Sequence, residues 1–130
     1  MKITIDALQA YLSDRYSGWA TEQSMFMKLA EELGEVAEVL NMRAGSFSAG
    51  RKTACRKAAC RKTAGRKTAD ENDLLEQLGT ELADMIHYIV AIAAINDIDL
   101  TKLIIEKDRV ASVKYNHAVN LETFLSDRAE

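Results

Sequence analysis

Two short runs of carboxylates carry the chemistry available to this chain. Glu31, Glu32 and Glu35 lie in KLAEELGEVAEVL, residues 28–40, and Glu81 and Asp84 lie in ELAD. On a helix turning about 100° per residue, the first three fall within about 100° of arc, because residues three and four apart are neighbours. Lys28 shares their face, and Phe26, Leu29, Leu33, Val36 and Leu40 form an apolar stripe opposite. That is the ordinary pattern of a surface helix, except that Met25 and Val39 sit among the acids. The second run leads into MIHYIVAIAAI, residues 85–95, which is apolar nearly all round and should be buried. Two carboxylates entering such a helix are costly to ionise without compensation. Bases are scarce nearby, so a hard divalent cation with oxygen ligands is the economical partner.

The ordered pair EExxE and ExxD, each followed by an apolar run, resembles the MazG-like all-α nucleoside triphosphate pyrophosphohydrolases. The likeness rests on KLAEELGEVAEVL and ELADMIHYI. It extends more weakly to GWATEQSMFMKL upstream and INDIDLTKLIIEK downstream, covering about residues 5–116. It implies an antiparallel helical bundle completed by oligomerisation, as a homodimer or dimer of dimers around a four-helix core. It also implies Mg²⁺, with Mn²⁺ able to substitute, held by Glu32, Glu35, Glu81 and Asp84. Glu31 would orient or deprotonate the attacking water, although the sequence leaves Glu31 and Glu32 exchangeable. Trp19 would wall the base, and Lys28, Lys107, Lys114 and Asn116 are the implied contacts to the nucleotide. The family's Lys-x-x-x-Asn pattern is not met at Lys107, because Ala111 stands four residues on.

The reaction so implied is attack of water between the α- and β-phosphates, giving a monophosphate and pyrophosphate. Such transfer needs charge neutralisation and positioning more than covalent chemistry. No GxSxG, P-loop or cysteine outside a repetitive segment offers another nucleophile. A dimeric dUTPase or a phosphoribosyl-ATP pyrophosphohydrolase is the same class with another substrate. A non-enzymatic helical interaction module, or a nucleic-acid binder using a basic arm, is the alternative of another class.

The elements that must position these groups are helices. With 130 residues, no proline and six glycines, the chain reads as one all-α domain over 1–130. The first helix is expected from near Asp6, capped by Asp6 with Gln9 as its capping-box partner, to Ser17-Gly18. The second should run from a Thr21 cap to Met42 or Arg43, stopped at Ala44-Gly45. The third is expected from an Asp73–Glu76 capping box to Ile95, with His87, three residues after Asp84, either a buried or interface histidine or a metal ligand, and Tyr88 a packing group. The fourth should run from an Asp99 cap to about Asn116, burying Leu103, Ile104, Val110 and Val113. A short helix is expected at Leu121–Leu125.

Between the second and third helices stands GRKTACRKAACRKTAGRKTA, residues 50–69, a five-residue unit repeated four times. It matches no helix or strand period and carries eight of the chain's basic residues with no acid. The remainder holds nine bases against twenty acids, a net charge near −11. The repeat reads as an exposed basic insertion. Without it, the 45 residues between Glu35 and Glu81 shorten to 25, and added loop length costs little. It lacks interleaved aromatics, so nucleic acid is not the expected partner. Cys55 and Cys60 both lie inside it, which gives no disulfide framework. MKITIDALQ has no apolar segment of signal-peptide type and residues 85–95 are too few to span a bilayer, so a cytoplasmic protein without membrane contact is the expectation.

Overall fold

The computed structural model describes residues 1–48 and 70–128, with backbone alone at 46–48. Five α-helices make up 80% of these residues, among which there is no strand, so the chain is all-α. They are α1 (Ile5–Tyr16), α2 (Glu22–Ser48), α3 (Glu71–Ile95), α4 (Leu100–Tyr115) and α5 (Leu121–Ser126). The repeat at 50–69, with both cysteines, lies outside the described residues. The described chain forms two compact units, Met1–Met25 with Ile89–Glu130, and Phe26–Tyr88.

In the first unit, α1 starts earlier than expected. Thr4, not Asp6, is its N-cap, accepting from the Ala7 backbone N–H. Asp6 and Gln9 are freed to hold α1 against the α3–α4 turn and the start of α4. The Asp6 carboxylate accepts from the Thr101 hydroxyl, and Gln9 donates to the Ile98 carbonyl at 2.7 Å. The turn itself works because Asp97 takes φ 52°, letting Ile98 N–H reach back to the Ala93 carbonyl at 2.9 Å. Asp99 caps α4 as expected, accepting from Lys102 N–H at 2.8 Å. At the other end Asn116 takes φ 55°, and His117 N–H closes on Ser112 O at 2.9 Å. Asp108 accepts the Leu121 N–H at 2.6 Å, tying α5 to α4. Leu12, Tyr16, Met25, Val90, Ala91, Ala93 and Ala94 are the buried apolar groups here.

The expected buried side of α4 is not buried. Leu103, Ile104, Val110 and Val113 are all exposed, Val113 by 82%. The helix packs instead through Thr101, Ile105, Asp108 and Ser112, which recur at one-turn spacing. Polar anchors at Thr101 and Asp108 decide which side faces inward, and hydrophobicity alone misplaces it.

The second unit is a hairpin of α2 and α3. Thr21 accepts from Ser24 N–H at 3.1 Å and caps α2 as expected. The helix then runs through Ala44-Gly45 to Ser48, beyond the expected stop. A lone glycine mid-helix costs only about 1 kcal/mol, which the remaining turns outweigh. α3 begins at Glu71, two residues before the expected cap. Arg43 reaches Glu71 at 3.7 Å, while Glu32 and Glu81 converge farther along. Rising numbers on α2 thus meet falling numbers on α3, so the pair is antiparallel. Val36, Val39 and Leu74 are buried between them.

Candidate metal centre

Glu32, Glu81 and Asp84 bring one carboxylate oxygen each within 4.8 Å of one another. Glu32 and Glu81 are half-buried in the α2–α3 seam, and Asp84 is exposed at its edge. The sequence explains the arrangement locally. Three-residue spacing puts Glu81 and Asp84 on one side of α3, and burial of Val36 and Val39 rolls α2 until Glu32 faces them.

Glu35 stands outside that trio, beside Glu81. The Glu81 carboxyl is raised above its ordinary value, first by burial, then by hydrogen bonding and charge repulsion from Glu35, and then by the same effects from Glu32. Lys28 lies near this side, its ammonium bound to Glu31 at 2.7 Å and attracted more weakly to Glu32. Glu31 raises the Lys28 pKa through that contact. Carboxylates gathered this closely are relieved by a shared proton or a cation.

The donor set fits a hard cation. Oxygens on opposite sides of Mg²⁺ lie about 4.2 Å apart, from a bond length of ~2.1 Å. Three oxygens cannot all stand opposite one another, and neighbouring ligands lie about 3.0 Å apart, so carboxylates within 4.8 Å close on one ion through side-chain shifts of an ångström or more. Oxygen-only ligands and partial solvent access suit an ion that keeps several waters.

Other expected site residues stand in different settings. Trp19 is 67% exposed, its indole N–H donating to the Arg15 carbonyl at 2.9 Å and its ring tilted on Tyr16 at 5.3 Å. Lys107 and Lys114 lie on the exposed side of α4, and Lys114 stands 5.1 Å from the Tyr115 ring. Asn116 has a backbone task, ending α4 in the left-handed conformation. Trp19, Lys107, Lys114 and Asn116 belong to the first unit, whereas Lys28 and the carboxylates belong to the second. His87 and Tyr88 are half-buried, their rings edge to face at 5.1 Å, which accords with packing.

Sequence reasoning missed the Tyr115–His117 pair, whose rings stack at 6.1 Å beside Lys114. The left-handed Asn116 folds His117 back onto Tyr115, and the only signal was an asparagine near a helix end.

No family model, curated protein or solved structure matches the chain.

Proposed function

We propose that this chain is a Mg²⁺-dependent nucleoside triphosphate pyrophosphohydrolase of MazG-like type, releasing a monophosphate and pyrophosphate. The observation that carries the reading is the convergence of Glu32 from α2 with Glu81 and Asp84 from α3, and of Glu35 with Glu81. These are four of the five carboxylates singled out by spacing. Oxygen ligands on two rigid helices form the donor set that a phosphoanhydride hydrolase requires.

Glu32, Glu35, Glu81 and Asp84 would hold the ion, which supplies charge neutralisation for the phosphates when bound. Glu31 stands outside the converging set and is held by Lys28. It keeps a carboxylate oxygen to orient water and accept its proton. Lys28, released as a phosphate approaches, carries the positive charge on this side of the hairpin. Trp19 offers a fixed, exposed ring for a base. An antiparallel bundle completed by a second copy belongs to the same reading.

Pyrophosphate release with Mg²⁺ across ribo- and deoxyribonucleoside triphosphates tests the proposal. The wild type should release pyrophosphate and Glu35→Gln should not. Silence across the panel from folded protein, together with no Mg²⁺ binding, would overturn it.

A further inference from the structure

The register of the α2–α3 hairpin runs one turn beyond the carboxylates. Glu32 meets Asp84 in the converging trio, and Glu35 stands beside Glu81. In an antiparallel pair, a step back along one helix meets an equal step forward along the other. A step of four residues carries Glu32 to Lys28 and Asp84 to Tyr88. Residues four apart share one side of a helix, so Lys28 and Tyr88 continue the flank that bears the acids. The Lys28 ammonium accords with this placement. Glu31 first, then Tyr88 and Glu32, hold its proton more tightly. At the other end of the hairpin the same register brings Arg43 to Glu71 at 3.7 Å, so the helices stay in step along the site.

The seam therefore has a polarity. Two rungs of carboxylates, Glu35 with Glu81 and Glu32 with Asp84, are followed about 6 Å further along by an ammonium and a phenol. Phosphate reaches the first two rungs only through a bridging cation. The third rung donates to a phosphate oxygen directly. Tyr88 is half-buried, and its ring stands edge to face with that of His87 at 5.1 Å. That packing fixes where the hydroxyl lies. Lys28 is 52% exposed and can exchange one partner for another.

We propose that Lys28 and Tyr88 seat the terminal phosphate of the substrate, so that this end of the hairpin selects the length of the phosphate chain. The proposal rests on the hydrolase reading for the bond that is cleaved, and on the hairpin register for the seat. The carboxylate rungs serve the two phosphates that flank the cleaved bond, and the third phosphate reaches the rung beyond. Lys28 is bound to Glu31 at 2.7 Å. A terminal phosphate draws the ammonium onto itself and releases the carboxylate that takes the proton of the attacking water. A diphosphate ends short of the rung and leaves Lys28 on Glu31. Selection of a triphosphate then acts on kcat as well as on binding, because contact with a remote group is used at the reacting centre. A tyrosine that only filled the seam would serve equally well without its oxygen.

Isothermal titration with inorganic tripolyphosphate and inorganic pyrophosphate, each in saturating Mg²⁺, reads the seat without catalysis. The wild type should bind tripolyphosphate at least about tenfold more tightly, the scale of one hydrogen bond to a charged group. Tyr88→Phe, which keeps the ring against His87, and Lys28→Met should each remove most of that preference without weakening Mg²⁺ binding. Lys28→Arg should keep it. In turnover, Tyr88→Phe should lower kcat/KM for nucleoside triphosphates about tenfold and leave that for diphosphates nearly unchanged. A wild type that binds the two probes equally, or binds neither, would overturn the proposal. So would a Tyr88→Phe protein that keeps the full preference. A preference that needs Tyr88 and Lys28, in a protein that releases no pyrophosphate from any nucleotide, would uphold the seat and overturn the hydrolase reading.

Discussion

Glu35 on α2 stands against Glu81 on α3 across the hairpin seam: burial first, and Glu35 next, hold the Glu81 carboxyl above its ordinary value. Glu32 reinforces the effect. Acids packed so closely need a proton or a cation among them.

Cation binding should depend on each member of the set. Glu32→Gln, Glu81→Gln and Asp84→Asn should each weaken Mg²⁺ binding at least about tenfold, because each removes one ligand oxygen from a small set. Isothermal titration with Mg²⁺ checks this. A wild-type thermal midpoint that rises with Mg²⁺, and a Glu81→Gln midpoint that does not, is the companion readout.

Stability should also depend on pH. The folded Glu81 carboxyl binds its proton more tightly than the unfolded one. Its contribution to stability is therefore complete below the unfolded carboxylate value and is lost as pH rises through the folded one. Urea unfolding of the metal-free protein should show stability falling over that window. Glu81→Gln should flatten the slope, and saturating Mg²⁺ should reverse the loss.

Glu31 should separate from the ligands in kinetics. Glu31→Gln is expected to lower kcat about 100-fold or more with Mg²⁺ affinity unchanged, since it pairs with Lys28 and stands outside the converging carboxylates. Glu35→Gln should lower both. Equal loss of Mg²⁺ affinity in the two variants would place Glu31 among the ligands.

Trp19 is the chain's single tryptophan. If its exposed ring receives a base, a nucleotide should quench its fluorescence. Trp19→Phe should keep KM within a fewfold, while Trp19→Ala should raise it by about tenfold, the scale of one lost base–aromatic contact.

Caps give a stability test free of any function. Thr4→Ala and Asp99→Ala should each cost about 1 kcal/mol in urea unfolding, as lost N-cap acceptors do. Asp6→Asn should cost less than either, because its partner is a half-buried threonine hydroxyl and it caps no helix.

Helix number, the Thr21 and Asp99 caps, the end of α3 at Ile95 and the order of the carboxylates were legible in the sequence. These depend on contacts three or four residues apart, which the chain writes locally. Local signals failed where a distant group competed. Asp6 and Gln9 resemble a capping box, but Thr101 and Ile98 claim them across more than 85 residues. Gly45 resembles a stop, yet α2 continues through it.

The sequence by itself determined that five acids of the right type lie on two helices, and that those helices carry apolar repeats. Only the tertiary structure decided which repeat each helix spends on the other. Periodicity marks that a side is apolar but not what covers it, so the stripe through Phe26, Leu33 and Leu40 read as core and stands exposed. Of that stripe the antiparallel packing of α2 on α3 kept Val36 and added Val39, with Leu74 from α3. That rotation carried Glu32 into the seam beside Glu81 and Asp84 and left the leucines free.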